Sequence, residues 1–131
     1  MTDHEDDIDD AVNALIAALD DGDIAGVLAL SIDTVVFIGS GEGEQAVGRA
    51  AVQEMFEQVA VLAEGTEFHV DFPQVDVEVI GDVAIAHAFG TATLADDEGE
   101  HDTEYRMTAV FVDVEGEWLL ASYHGSEPTP W

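Results

Sequence analysis

The chain has no cysteine and no lysine, and its only side-chain cations of fixed charge are Arg49 and Arg106. Without cysteine there is no disulfide framework and no thiolate chemistry, which fits a reducing compartment. With two arginines there is almost nothing to neutralise phosphates, so nucleic acid and anionic membrane surfaces are excluded as partners. No apolar run approaches the ~18 residues of a membrane span. The opening residues MTDHEDDIDD are acidic and lack the basic and apolar regions of a secretory signal, so the expected location is cytoplasmic.

What is abundant is negative charge. Thirty Asp and Glu against two Arg give a formal net charge of −28 on 131 residues. In dilute buffer the Debye length is tens of ångströms and such a surface repels itself; in molar salt it falls to about 3 Å and the repulsion nearly vanishes. The composition therefore points to multimolar salt, as in the cytoplasm of a salt-accumulating halophile such as a halophilic archaeon. The chain is also 47% hydrophobic, which separates it from acidic disordered sequences. Its length suits one domain over residues 1–131, with 1–7 and 127–131 as flexible or dimer-associated tails.

Apolar residues at Ile8, Val12, Leu15, Ile16 and Leu19 repeat at helical spacing, and Asp20 to Asp23 end that helix. Asp23 is placed to cap a short second helix carrying Ile24, Val27, Leu28 and Leu30. Thr34 to Ile38 reads as a short buried strand, followed by a loop from Gly39 to Glu44. Val47, Val52, Met55, Phe56, Val59 and Leu62 form a third helical stripe that Gly65 closes. From Phe68 onward the period becomes 2. Phe68, Val70 and Phe72 alternate on even numbers and Val75, Val77 and Val79 on odd ones, which predicts one long strand bent near Pro73. Strands follow over Val83 to Leu94, Thr103 to Val114 and Trp118 to Tyr123, with an acidic turn from Ala95 to Asp102. The predicted class is α+β, three helices packed on a curved, mostly antiparallel sheet.

The segments Asp21-Gly22-Asp23-Ile24, Val35-Val36-Phe37-Ile38-Gly39 and Gly48-Arg49-Ala50-Ala51-Val52 with Phe56 after it, then Trp118 followed by His124-x-Ser126, occur in an order that resembles the nuclear transport factor 2-like superfamily, with the nearest likeness to small SnoaL-like proteins. The resemblance runs from about Ile8 to Ser126 and implies a cone with a pocket between sheet and helices, and a homodimer formed through the outer sheet faces. It implies no single reaction, since the superfamily holds isomerases, cyclases, hydratases, dehydratases and binding proteins.

The groups of a ketosteroid isomerase are a carboxylate base and two acidic oxyanion donors. Aligned on the matching motifs, they fall at Gly39, Leu15 and Thr108, so all three are missing. The paired aspartates of an epoxide hydrolase are absent from Trp118 to Tyr123 as well. By resemblance, Ile85, His87, Phe89 and Thr91 share the concave face with Arg106 and Thr108 opposite, and Tyr123 lines the mouth. Leu15, Val36 and Phe56 complete the pocket. His87 is then the near-neutral acid/base candidate, with Arg106 or Tyr123 polarising a substrate. The structural alternatives are a hydrogen-bonded wall histidine at 87 and an Arg106 paired with Glu104 or a helix carboxylate. Arg49 is expected to pair with Glu42 or Glu44, and His124 and Ser126 to lie on the outer face.

Histidines 4, 69, 87, 101 and 124 have no metal-ligand spacing, and the acidic run from Asp96 to Asp102 lacks the pattern of a calcium loop, so no metal is expected. No phosphate-cradling loop opens a helix, and no cofactor is expected. The readings carried forward are a binding protein for a small organic ligand, a lyase, cyclase or isomerase acting on a small carbonyl compound, and a dimerisation module with a filled pocket.

Overall fold

The computed structural model describes residues 3–39, 44–62 and 64–128. Helix α1 (Asp3–Asp21) begins ahead of its first apolar residue and buries Ile8, Val12, Leu15 and Leu19. Gly22, at φ +69, reverses the chain, and the Asp23 side chain accepts a hydrogen bond from the Gly26 amide (3.0 Å) to open α2 (Ile24–Ala29). Strand β1 (Ser31–Ile38) follows, then β2 (Gln45–Val47) and α3 (Arg49–Leu62). The meander is β3 (Glu67–Ile80), β4 (Val83–Asp96), β5 (Gly99–Val114) and β6 (Glu117–Ser126).

These strands make one six-stranded curved sheet in the order β2-β1-β6-β5-β4-β3. All pairs are antiparallel except β1 with β6. Helix α1 packs on β3 and β6, and α3 on β1 and β2. At the free edge of β3, the Asp20 carboxylate accepts from the Val70 amide (2.9 Å) and lies 3.3 Å from His69 Nδ1, tying the end of α1 to the sheet. The β3–β4 register shifts between Asp71 and Gln74, where Gly90 lies so close to the backbone of Asp71 and Phe72 that a side chain could not fit.

The acidic stretch Ala95 to Asp102 is mostly strand, since β4 continues to Asp96 and β5 starts at Gly99. Acidic side chains point into solvent there, and the Thr93 hydroxyl donates to Asp102 (2.8 Å) across the ladder.

The larger correction concerns which face looks inward. On β4 the buried, inward-facing residues are Ala84, Ala86, Ala88 and Ala92; on β5 Phe111, Ala109 and Met107 oppose the first three, and Tyr105 opposes Gly90. Ile85, His87, Phe89, Thr91, Arg106 and Thr108 therefore lie on the outer face, the reverse of the expected parity. The alanines turn into the core, where Ala84, Ala86 and Ala88 are fully buried. The larger alternating residues are left for the other side.

Candidate functional site

Strand β6 changes face once. Its register with β5 shifts between Val110 and Phe111, so Trp118 and Leu120 point inward and, past the bulge, so do Tyr123 and Gly125. His124 is exposed on the outer face with Ser126, as expected, although Trp118 and Leu120, which share their even-numbered alternation, are inside. Tyr123 is the one proposed catalytic side chain that reaches the interior, where it is 2% exposed.

There it meets a residue the sequence reading did not select. The Tyr105 and Tyr123 hydroxyls are 2.6 Å apart in a buried hydrogen bond. One donates and the other accepts, so a single O–H proton of the pair stays unspent; among the described residues neither hydroxyl has a second partner. Aromatic rings wall the pair. Phe37 stacks on Tyr123 (centroids 4.2 Å apart) and meets Phe56 edge-on (4.8 Å), while Phe68 and Phe72 lie 6.3 and 6.0 Å from Tyr105. Phe68 and Leu94, opposite each other on the inner face, remain 41% and 43% exposed, so this apolar interior reaches the surface beside Tyr105.

Glycines make the space. A Cβ at Gly125 would collide with the Tyr105 hydroxyl and come within 3.2 Å of that of Tyr123. Gly39 sits at the same level on the neighbouring strand, one residue beyond the Ile38–His124 pair. Its amide donates to the Glu44 carbonyl (2.7 Å), which places Glu44 directly across from it on the β2 side. Directly opposed residues share a sheet face. The Glu44 carboxylate accordingly folds over Gly39 and fills the place a side chain there would take. Along one inner row stand Glu44, Gly39, Gly125 and Met107.

Electrostatics follow from this packing. Burial pushes the Tyr123 hydroxyl well above its ordinary pKa, reinforced by Tyr105 and by the negative charge of Glu44. Burial also raises Tyr105; the bond to Tyr123 opposes this, and the charges of Glu44 and Glu127 add to it. Both phenols are therefore neutral donors at physiological pH.

The remaining candidates distribute as follows. Leu15 is buried in the core and Phe56 packs against it from α3. Val36, paired with Ser122, faces outward with Ile85, Phe89, Thr91 and Thr108. His87 is exposed and opposes Asp76 and Thr108 on the neighbouring strands; Arg106 is exposed between Phe89 and Ser126. Arg106 makes no ion pair among the described residues, with Glu104 or any helix carboxylate. Arg49 pairs with Asp33 (3.6 Å), where Glu42 or Glu44 was expected; Glu42 lies outside the described residues. Two open hollows, of about 510 Å³ over Glu54, Glu57, Gln58 and Val61 and about 380 Å³ between α1 and α2, stand apart from the tyrosines. Among the described residues no group of three or more His, Asp or Glu is gathered as metal ligands, and no helix is long and apolar enough to cross a membrane.

The alternation of Tyr105, Met107, Ala109 and Phe111 was the available signal for Tyr105. The position of Glu44 depends on the Gly39–Glu44 closure, for which the sequence has no periodic mark.

Comparison with known proteins agrees with this architecture. No curated protein sequence matches significantly. Among solved structures, an NTF2-like protein of unknown function from Pseudomonas putida KT2440 superposes with a TM-score of 0.83 at 24% identity, over 99% of this chain and 90% of that one. A ketosteroid isomerase-like protein from Erwinia carotovora atroseptica gives 0.80 at 22%, over 99% and 100%. A putative dehydratase of the NTF2-like family from Streptomyces avermitilis gives 0.80 at 19%, over 95% and 96%. At these identities the likeness shows the fold alone. The profile of the SnoaL-like domain matches residues 8–130, and the chain belongs to that family.

Proposed function

We propose that this SnoaL-like domain binds a small, neutral, carbonyl-bearing compound, received by the Tyr105–Tyr123 hydroxyl pair. The observation that carries this is the unspent O–H of that buried pair, set among aromatic rings near the partly exposed Phe68 and Leu94. A carbonyl oxygen accepts such a proton, and an aromatic wall holds the body of a flat ligand. An anionic ligand is disfavoured, because Glu44 and Glu127 act on the site and Arg106 faces away from it. The isomerase and dehydratase names of two structural neighbours accord with carbonyl chemistry.

The outer face supports a homodimer. Its central positions on β4, β5 and β6 hold Ile85, Val110, Val112 and Leu119 together with His87, Arg106 and His124, and none of these central positions is acidic in a chain with 30 carboxylates. A second copy covers that face without the charge repulsion the rest of the surface would impose. The working environment is the salt-rich cytoplasm of a halophile, where a charge of −28 is screened.

The binding test uses 2-tetralone, a neutral bicyclic aromatic ketone, followed by ligand-observed NMR in molar KCl. Loss of one neutral hydrogen bond, worth about 0.5–1.5 kcal/mol, predicts binding weaker by roughly 2- to 13-fold in Tyr123→Phe or Tyr105→Phe. Equal affinity in wild type and both variants, or no binding at all, refutes the reading.

A further inference from the structure

We infer that residues 127–131 form a strap over one end of the inner sheet face, with the Trp131 indole covering Phe68 and Leu94. The surface to be covered is an apolar row at the edge of the core. At the end of α1 the Asp20 carboxylate holds the Val70 amide, and the inner-face pair Val70 and Ala92 is 9% and 1% exposed. One inner row further on, Phe68 and Leu94 stand opposite each other at 41% and 43%. The row continues on β5 with His101, so no carboxylate interrupts it.

Register and reach bring the strap to that row. Arg106 pairs with Ser126, so the next residue, Glu127, comes level with Tyr105, whose hydroxyl feels the Glu127 charge. Four residues along β5 from Tyr105 stands His101, opposite Leu94, and four residues beyond Glu127 comes Trp131. An extended chain covers roughly 12–14 Å in four residues, so the two steps match. Phe68 leans back until its ring is 6.3 Å from that of Tyr105, which shortens the reach.

The sequence makes the strap extended but unpaired. Strand β6 ends at Ser126, and Pro128 and Pro130 have no N–H to donate to a continuing ladder. Each proline fixes its own φ at about −65° and, by steric clash, holds the residue before it extended, here Glu127 and Thr129. Four consecutive residues are restricted before any contact forms, which lowers the entropy lost on docking. Pro128, Thr129 and Pro130 carry no charge, and the side chain they deliver is a large aromatic one. Residues 129–131 lie outside the described residues, so Trp131 is placed by this reach and restriction. The strap closes the aromatic wall on the side of Tyr105; that it also gates a ligand rests on reading the hydroxyl pair as a binding site.

Acrylamide quenching of tryptophan fluorescence, with the full chain in molar KCl, tests the docking without a ligand. Subtracting the emission of Trp131→Leu, in which Trp118 is the remaining tryptophan, isolates Trp131. The expected quenching constant is roughly half or less that of free N-acetyltryptophanamide, because contact shields a face of the ring, and it should rise about twofold in Phe68→Ser. Nuclear Overhauser contacts from the indole to the Leu94 methyls and the Phe68 ring, measured on the wild type, need no substitution. A Trp131 quenched as freely as the amide, a constant unchanged in Phe68→Ser, or indole contacts found only between differently labelled copies overturns the strap. Bound 2-tetralone should dissociate faster from Trp131→Leu, and equal rates remove the gate. Absence of 2-tetralone binding removes the binding reading, while quenching still decides the strap.

Discussion

The tyrosine pair can be tested without any ligand, because its energetics differ from those of two independent buried phenols. Tyr105 and Tyr123 are 5% and 2% exposed and bond to each other at 2.6 Å, so replacing either by Phe leaves the other hydroxyl buried without a protein partner. Stranding a buried polar group costs about 1–3 kcal/mol. Replacing both removes the two hydroxyls together, keeps both rings and the stack on Phe37, and strands nothing. The double variant should therefore cost no more than the worse single variant, and the cycle should show a coupling of about 1–2 kcal/mol. Against a total stability of about 5–15 kcal/mol this is readily measured. Urea is the suitable denaturant, since it is uncharged and leaves the salt screening unchanged; with m near 1–3 kcal/mol per M, a 2 kcal/mol loss moves the midpoint by about 1 M. Unfolding by urea in molar KCl, followed by tryptophan fluorescence for the four proteins, gives the cycle. Additivity within about 0.5 kcal/mol would show that the hydroxyls do not act as a pair, and the account of the site would fail with it.

Alkaline pH tests the same pair by another route. Both phenols are raised in the folded state, so the stability they contribute is complete below pH 10 and is lost as pH rises from there through the folded values; the double Phe variant should lose less stability than the wild type between pH 10 and 12. Gly125→Ala drives a methyl group into the Tyr105 hydroxyl and should destabilise by about 1–3 kcal/mol in urea unfolding while weakening 2-tetralone binding. His69 is raised by its bonds to Glu67 and Asp20, so the favourable contribution is present below pH 6.5 and fades as pH rises through its folded value; an NMR titration should place His69 above the ordinary histidine range, and Asp20→Asn should bring it down. Val110→Asp puts a carboxylate at the centre of the outer face and should convert a dimer to a monomer by light scattering; a variant of unchanged mass would exclude that face as the interface.

The layout of the chain was legible in the sequence because period and punctuation are strong signals. The helical stripes of Ile8 to Leu19 and Val52 to Leu62 and the glycines near Gly81 and Gly116 fall where the structure places helices and turns. Facing was not legible on β4. A strand of Val-Ala-Ile-Ala-His-Ala-Phe has alternating bulk, and bulk was taken to point inward. In the structure the alanines turn into the core and the larger residues turn out. A one-residue choice of parity transfers every side chain of a strand to the other face. That single choice carried His87, Phe89, Arg106 and Thr108 out of the site and left Tyr105 unrecognised within it. The β6 bulge was a separate blind spot: an unbroken alternation puts Tyr123 and Trp118 on opposite faces, whereas the structure turns both inward.

The charge and the site constrain each other, and salt separates them. A surface of −28 repels an anionic ligand in dilute buffer and is nearly silent beyond about 3 Å in molar salt. A binding site in such a protein gains little from long-range steering and must work through contacts within one or two bond lengths of the ligand, which is what a hydroxyl pair and an aromatic wall supply. Global stability and local chemistry should therefore respond differently to salt. The melting temperature should rise steeply from about 0.1 M to about 3 M KCl as surface repulsion is screened. The affinity for a neutral ketone, measured only where the fold is intact, should change little, because no charge enters or leaves on binding. A melting temperature that is flat over that range would remove the halophilic account of the composition. A neutral ligand whose affinity follows the square-root or logarithmic dependence of an ion pair would show that a charged group, and not the tyrosine hydroxyls, holds it.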